Sequence, residues 1–144
     1  MPFYRRFSDM PLISISNAQR TSLGSANFVG TVYHGLPLDL HKPSRKPASG
    51  YLAFLGRISP EKRPDRAIAI ARAAGLPLKI AAKVDKLDEA YFREMVAPLL
   101  EGTEIEFVGE INETAKTEFL GQAAGLLFPI DWPEPFGLVM TVIG

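Results

Sequence analysis

Residues 51–65 read YLAFLGRISPEKRPD, and this stretch decides the fold. It opens with an apolar run over 51–55, which Gly56 interrupts, and Arg57 and Lys62 then flank a Ser-Pro-Glu turn. A short apolar run bounded by a glycine is typical of a buried parallel strand. Residues 66–74 are good helix formers with little punctuation. The stretch therefore predicts a strand, a basic loop and a helix.

Arg57 and Lys62 are the first candidate binding residues. Open parallel sheets bind ligands at the carboxyl ends of their strands. Two cations five residues apart in such a loop are suited to clamping a diphosphate. The alternative is that both are solvated loop charges, and the residue chemistry alone leaves both interpretations open.

Apolar and amphipathic segments alternate along the rest of the chain. They predict strands over 78–84, 105–108 and 126–129 and helices over 89–100 and 115–123. This alternation indicates an α/β fold, a Rossmann-like parallel sheet with flanking helices. Upstream, strands are predicted over 12–16 and 28–33 with a helix over 18–23. We expect this piece to complete the sheet or a neighbouring chain, because a free fragment could not bury its apolar face.

The composition narrows the classes of function. The 144 residues carry 16 Lys or Arg and 16 Asp or Glu, which excludes a broad basic surface for nucleic acid or an anionic membrane. There are no cysteines, and the two histidines form no metal-ligand pattern, so no metal site is predicted. No signal peptide is recognised, and no apolar run is long enough to span a bilayer.

Residues 131–140, DWPEPFGLVM, form a second candidate segment. Two prolines hold an extended loop with Glu134 between them, and a helix is expected to begin near Gly137. The amino terminus of a helix presents free amides and a positive dipole end to an anion. A glutamate there could accept hydrogen bonds from sugar hydroxyls. The alternative is an ordinary loop with a solvated glutamate.

Three motifs in order point to a family. GRISPEKRPDRAIAIA, FVGEI and EPFGLVM, each following an apolar strand, resemble the carboxyl-terminal half of family 4 retaining glycosyltransferases, also called glycosyl transferase group 1. The resemblance implies the GT-B architecture, in which a nucleotide sugar lies between two Rossmann-like domains. Residues 1–40 would be the end of the amino-terminal domain and the crossover, 41–50 a linker, and 51–144 a truncated nucleotide-sugar-binding domain.

The resemblance also implies roles for individual residues. Arg57 and Lys62 would hold the donor diphosphate and stabilise the departing nucleotide, where negative charge develops. Gly56 would let the backbone approach the phosphates, and Glu134 would contact the donor sugar. The loop along the nucleobase matches Gly109, Glu110 and Ile111. The amides that face sugar and phosphate match Phe136, Gly137, Leu138 and Val139.

Two departures from the family pattern qualify the expected function. The family has a second glutamate eight residues after the first, and this position is Val142 here. Most of the first domain, with the acceptor site, is also not represented. We therefore expect a hexosyltransferase that acts on a nucleotide diphosphate sugar and an acceptor hydroxyl with retention, of which this chain is an inactive donor-binding fragment. The alternatives are a non-catalytic Rossmann-like nucleotide-binding or interaction module, and another GT-B enzyme such as a nucleotide-sugar epimerase.

The expected partners follow from this assignment. They are a nucleotide sugar donor and an acceptor that the sequence does not identify, with no nucleic acid, no metal and no cofactor. An exposed sheet edge predicts self-association. The expected location is cytoplasmic, peripheral to the membrane in an intact enzyme.

Overall fold

The computed structural model describes residues 2–37, 39–40 and 50–142, which fall into two compact units. The first unit contains described residues up to 40 together with 133–141, and the second contains those from 50 to 132 and residue 142. Apart from Gly50, the predicted linker at 41–50 lies outside the described residues. No helix in the described ranges is long and apolar enough to cross a membrane.

The regular elements, in chain order, are α1 (Pro2–Arg6), β1 (Leu12–Ser14), α2 (Asn17–Ser22), β2 (Phe28–Thr31), β3 (Leu52–Arg57), α3 (Pro64–Ala74), β4 (Leu78–Lys83), α4 (Glu89–Tyr91), β5 (Ile105–Gly109), α5 (Glu113–Gly121) and β6 (Gly125–Leu126). A 3-10 turn at Lys86–Asp88 precedes α4, and a π-helical turn at Phe92–Val96 and a 3-10 turn at Ala97–Leu100 follow it. A 3-10 segment at Leu138–Val142 lies near the end of the chain.

The second unit is built on a four-stranded parallel sheet in the order β5-β4-β3-β6. This confirms the predicted Rossmann-like parallel sheet. The last strand is shorter than the predicted 126–129. The amide of Leu127 still donates to the carbonyl of Ala53 at 2.8 Å. Pro129, which has no amide hydrogen, cannot extend the ladder further.

The central strand β3 is buried on both faces, which explains its continuous apolar run. The edge strand β5 exposes Glu106 and Val108 on one face. Successive residues of β3 face opposite sides, so that Ala53 and Phe54 belong to different core clusters. Phe54 packs on the side of α3 with Ile68 and Ile80, and Ala53 packs with Phe119 on the side of α5. Of the charged residues in this sheet, Arg57 and Lys83 lie at the carboxyl ends of their strands, and Lys79 and Glu106 pair with each other at 3.0 Å.

Two of the predicted helices form as continuous helices. Helix α3 begins at Pro64, two residues before the prediction, because proline suits the first helical turn. It ends at Gly75, whose φ of 64° is the left-handed conformation that favours glycine. Helix α5 begins after Asn112, whose side-chain oxygen accepts from the amide of Ala115.

The predicted continuous helix over 89–100 is wrong in form. The chain instead passes through α4, a π-helical turn and a 3-10 turn. Pro98 removes an amide donor and crowds the carbonyl four residues earlier, which breaks a regular α-helix. Phe92 and Val96 contact the core, whereas Met95, which an amphipathic helix over 89–100 would place on the same face, is 54% exposed.

In the first unit, β1 and β2 form a parallel two-stranded sheet of their own. Residues 12–33 were expected to complete the sheet or a neighbouring chain. The first of these expectations is wrong, because they are not part of the four-stranded sheet. Helix α2 connects the two strands, and Ser16 caps it by accepting from the amide of Gln19 at 3.1 Å. Helix α1 was not predicted.

The two isoleucines of α3 provide a test of this packing. Ile68 is 1% exposed in the core, whereas Ile70 on the same helix is 41% exposed. Replacing Ile68 by alanine should lower the free energy of unfolding by about 2–5 kcal/mol, because it leaves a cavity. Replacing Ile70 by alanine should change it by no more than about 0.5 kcal/mol. Chemical denaturation of both variants measures the difference, and equal losses would contradict the assigned core face.

Candidate functional site

The candidate site lies at the carboxyl ends of the strands in the second unit. Arg57 and Lys83 are the last residues of β3 and β4 and are opposite each other in the register. The strand order reverses at β3, since β4 and β5 lie on one side of it and β6 lies on the other. In open α/β sheets, ligands bind beyond the strand ends at such a reversal. Residues 58–63 and 127–132, which follow β3 and β6, border this position.

Asp131 joins these two loops. Its amide donates to the carbonyl of Glu61 at 2.9 Å. Its carboxylate accepts from Arg63 Nη1 at 3.0 Å and from Arg66 Nη2 at 3.2 Å. The backbone hydrogen bond and the Arg63 ion pair therefore hold the two loops together, although Arg63 and Asp131 are 68 positions apart in the sequence. The Arg66 ion pair attaches the second loop to α3.

Arg63 connects the loop to α3 in an unusual backbone conformation. Its φ and ψ are 53° and 54°, and it is the non-glycine residue with positive φ among the described residues. Such a conformation is uncommon and carries a conformational cost for a residue with a Cβ. Its guanidinium makes a two-pronged contact with Asp65, with Nε–Oδ1 at 3.0 Å and Nη2–Oδ2 at 2.8 Å. This contact raises the pKa of Arg63 and lowers the pKa of Asp65.

Lys62 lies against two aromatic rings that the second loop supplies. Its Nζ is 5.4 Å from the centre of the Trp132 ring and 5.6 Å from the centre of the Phe128 ring. Both distances are within the range in which an ammonium is attracted to a ring face. The structure thus brings the predicted diphosphate-binding lysine to the strand-order reversal.

Arg57 is surrounded by carboxylates. Its Nη2 is 2.7 Å from Glu61 Oε1, its Nε is 3.7 Å from Asp88 Oδ2, and its Nη1 is 3.9 Å from Asp85 Oδ2. Backbone hydrogen bonding, and to a smaller extent Arg57 itself, lowers the pKa of Glu61. A phosphate that binds Arg57 would therefore compete with three acidic side chains.

Lys83 adds a cation that the sequence analysis did not select. Its Nζ is 3.1 Å from Asp85 Oδ1, and this contact raises the pKa of Lys83. The position could have been recognised from the sequence, because Lys83 lies next to the end of the strand predicted over 78–84. At the carboxyl ends of β3 and β4, the cationic side chains of Arg57 and Lys83 therefore lie in direct contact with carboxylates.

Ser59 is fully buried, and its hydroxyl is the buried side-chain polar group that lacks a hydrogen-bond partner in the described ranges. The hydroxyl is nevertheless close enough to Glu61 to help lower the pKa of that carboxyl. The packing of Ile58 and Ser59 fixes the chain directly after Arg57, since both are inaccessible to solvent.

Gly56 and Gly109, two of the predicted binding glycines, differ in whether the fold requires glycine at their positions. A Cβ at Gly56 would meet no atom closer than Phe54 Cε1 at 3.9 Å, which is an ordinary contact. The fold itself therefore does not require glycine at position 56. Gly109 has a φ of 82° and does require it. Of the two residues after it, Glu110 is exposed and Ile111 packs against the core on the α5 side.

The predicted residues from Glu134 onward lie in the first unit. The Phe136 ring contacts His34 edge-on at 5.3 Å and Tyr33 at 6.3 Å, and the Ser16 hydroxyl donates to the carbonyl of Pro135. Gly137 is buried with a φ of 73°, which favours glycine. These contacts fix the loop within its own unit.

The helix predicted to begin near Gly137 is a five-residue 3-10 segment rather than an α-helix. It includes Leu138 and Val139, and the amide of Met140 donates to the carbonyl of Gly137 at 2.8 Å. So short a segment has no appreciable helix dipole. The role predicted for the amides of residues 136–139 towards sugar and phosphate stays a prediction. The sugar-contacting role of Glu134, which is partly buried, stays a prediction.

An open cavity of about 400 Å³ adjoins the loop after β3. Tyr91 Oη donates to Asp65 Oδ1 at 3.1 Å at its wall. Burial first, and then Asp65, raise the pKa of Tyr91 to about 12. The cavity is lined by Pro60, Glu61, Arg63, Asp65, Tyr91, Met95 and Asp131. Within the described ranges, no group of three His, Asp or Glu side chains is arranged to hold a metal ion.

Comparison with known proteins finds similarity in structure, with no match among family models or curated sequences. AviGT4, a glycosyltransferase involved in avilamycin A biosynthesis, superposes with a TM-score of 0.70 at 24% identity over 91% of this chain. Sucrose-phosphate synthase from Thermosynechococcus elongatus gives 0.72 at 20% identity over 90%. A mutant of S. aureus TarM, in complex with fondaparinux, α-GlcNAc-glycerol and UDP, gives 0.65 at 16% identity over 91%.

These likenesses establish the fold. The chain covers 41%, 37% and 27% of the three proteins, respectively. It thus spans about two fifths or less of the length of each. The described parallel sheet with flanking helices is the α/β Rossmann-like fold that was predicted for part of a GT-B protein.

The raised pKa of Tyr91 predicts a loss of stability in alkali. Below its ordinary pKa of 10.0 the stabilisation is fully present. As the pH rises from there towards 12, the unfolded chain loses the phenol proton before the folded chain does, so stability falls. Tyr91→Phe should remove this part of the dependence. Urea denaturation of both proteins at about pH 8 and about pH 11 measures it, and parallel losses would contradict the prediction.

Proposed function

We propose that this chain binds the nucleoside diphosphate part of a sugar donor, as the donor-binding portion of a family 4 retaining glycosyltransferase. The reaction would transfer a hexose from a nucleotide diphosphate sugar to an acceptor hydroxyl. The observation that carries the proposal is the placement of Arg57 as the last residue of β3 and of Lys62 in the loop after it, where the strand order reverses. A ligand in an open α/β sheet is expected at this position.

The chemistry of the two cations fits this ligand. When the bond between a sugar and a diphosphate breaks, negative charge grows on the leaving phosphate. Fixed cations stabilise the transition state most where that charge develops. The Arg57 guanidinium can contact two phosphate oxygens at once, and the Lys62 ammonium supplies a compact point charge. The proposal assigns the neutralisation of the diphosphate to these side chains rather than to a metal ion.

A ligand that binds Arg57 must replace the carboxylates that contact it. Glu61, Asp85 and Asp88 hold the guanidinium in place without a ligand, at 2.7 to 3.9 Å. Exposed ion pairs of this kind are weak individually. A diphosphate with two or more charges can therefore replace them, and binding would be an exchange of partners at a guanidinium that is already oriented.

The structural neighbours support the same class of ligand. One is a glycosyltransferase by name, and another was solved with UDP bound. We propose further that the polypeptide by itself binds the donor without transferring the sugar. The reason is that Val142 stands where the resembled family has the glutamate that holds the ribose.

Calorimetric titration of single variants tests the proposal. Uridine, guanosine and adenosine diphosphates should be titrated into the natural chain, and the tightest of them into Arg57→Ala, Lys62→Ala and Arg57→Lys. Each alanine variant should lose about 1.5–3 kcal/mol of binding free energy while keeping its melting temperature. Arg57→Lys should also bind less well, because an ammonium cannot make the two-pronged contact.

Lys79→Ala is the matched control. Lys79 is also half-exposed and paired with a carboxylate, but it lies in β4 four residues before the carboxyl end. Its removal should leave nucleotide affinity unchanged. Unchanged affinity in both Arg57→Ala and Lys62→Ala would mean that these side chains are solvated charges with no role in binding.

Gly56 offers a second, steric test. Gly56 and Gly125 both lie in strands, and a Cβ at either meets nothing closer than 3.8 Å. Alanine at either position should preserve or raise stability, by up to about 1 kcal/mol, because glycine is entropically costly in a strand. If the backbone at Gly56 approaches phosphate, Gly56→Ala alone should weaken diphosphate binding by about tenfold or more. Equal diphosphate affinities in Gly56→Ala and Gly125→Ala would show that the backbone at Gly56 does not approach the phosphate.

A further inference from the structure

We propose that Trp132 and Phe128 form an aromatic seat that positions Lys62 for the diphosphate, which makes them positioning residues of the site. The inference rests on the proposed function and extends it to two aromatic residues that have no role in the assignments above. The Lys62 ammonium lies 5.4 Å from the centre of the Trp132 ring and 5.6 Å from that of Phe128. A cation at this distance from two rings has fewer favourable positions than one in water.

A lysine needs such a seat more than an arginine does. Its ammonium is a compact, hydrated charge at the end of a flexible four-carbon stem. Rotamer freedom that the side chain has before binding must be given up when it contacts a ligand. Two rings that already restrict the stem reduce this cost. The seat adds no charge of its own, so its contribution to binding is through position.

The backbone around Lys62 holds it opposite the seat. The residues on either side of Lys62 both bind Asp131, the residue before Trp132. The Glu61 carbonyl accepts from the Asp131 amide at 2.9 Å, and Arg63 Nη1 donates to its carboxylate at 3.0 Å. Lys62 lies between two residues that both contact Asp131, and Trp132 directly follows Asp131. These two contacts therefore keep Lys62 and Trp132 close together.

The conformation of Arg63 contributes to the same arrangement. Its left-handed backbone turns the chain between Lys62 and the first residue of α3, Pro64. The two-pronged contact with Asp65 and the bond to Asp131 oppose the cost of that conformation. The exposed position of Trp132, whose side chain is 41% accessible, is consistent with a role outside the core.

The seat itself can be tested without a ligand. Ring currents from the two aromatic rings should shift the Lys62 ε-methylene protons upfield in the proton NMR spectrum, and Lys62→Ala identifies the signal by its absence. Trp132→Leu should move the signal towards the ordinary lysine position. Trp132→Phe should keep part of the shift, because it preserves a ring. A Lys62 signal at the ordinary position in the natural chain would overturn the inference.

The consequence for binding is tested with uridine diphosphate. Trp132→Leu should weaken its affinity by about tenfold, which corresponds to about 1.4 kcal/mol, and Trp132→Phe should restore most of the loss. Phe128→Leu is a second variant with the same expected direction, should Trp132→Leu fail to fold. Because the chain has one tryptophan, emission from Trp132 reports directly on the seat when the nucleotide is added.

The outcomes separate the inference from the proposed function. If the natural chain binds uridine diphosphate and Lys62→Ala weakens binding, but Trp132→Leu and Phe128→Leu do not, the seat is overturned and the diphosphate site stands. If no nucleoside diphosphate binds the natural chain, both are overturned. Loss in Trp132→Leu with recovery in Trp132→Phe, at unchanged melting temperature, supports the seat.

Discussion

The burial of β3 on both faces is the constraint on which the rest of the second unit depends. Ala53 and Phe54 are buried on opposite sides of the sheet, and the neighbouring β4 is buried at Leu78 and over residues 80–82. Unpaired charges cannot be placed along such a strand, because their desolvation would be too costly. The polar chemistry is therefore concentrated at the carboxyl end, where Arg57 emerges from the core. The same end is where the strand order reverses, so the constraint that builds the fold also places the site.

Two loops at this end act as one structural element. Asp131 joins them through the Glu61 carbonyl and the Arg63 guanidinium, and Arg63 adopts a left-handed conformation within this network. A strained backbone persists only where the surrounding contacts hold it. Lys62 lies between the two connected residues and faces the rings of the opposite loop. The inferred aromatic seat would restrict a cation that is otherwise mobile and hydrated, as the proposed stabilisation of a leaving group requires.

Sequence patterns predicted the parallel sheet because apolar strands buried on both faces leave a direct signal. They also selected Arg57 and Lys62, since both follow such a strand. They did not predict the carboxylates around Arg57, because Asp85 and Asp88 reach it only through the register of β3 and β4. Pro98 was visible as a helix breaker, yet the amphipathic pattern over 89–100 outweighed it. The 3-10 segment after Gly137 could not be distinguished from the first turn of an α-helix, since the same residue types are found in both.

The central claim is that the carboxyl end of β3 binds a nucleoside diphosphate. Amide chemical-shift mapping of the isotopically labelled chain during titration with uridine diphosphate tests it most directly. The account predicts saturable shifts that are largest in residues 56–63 and 127–132, with little change at the amino ends of the strands, where Leu52 pairs with Leu78 and Gly125. Saturable shifts confined to the amino ends of the strands, or an absence of shifts at the end of β3 at saturating nucleotide, would contradict it.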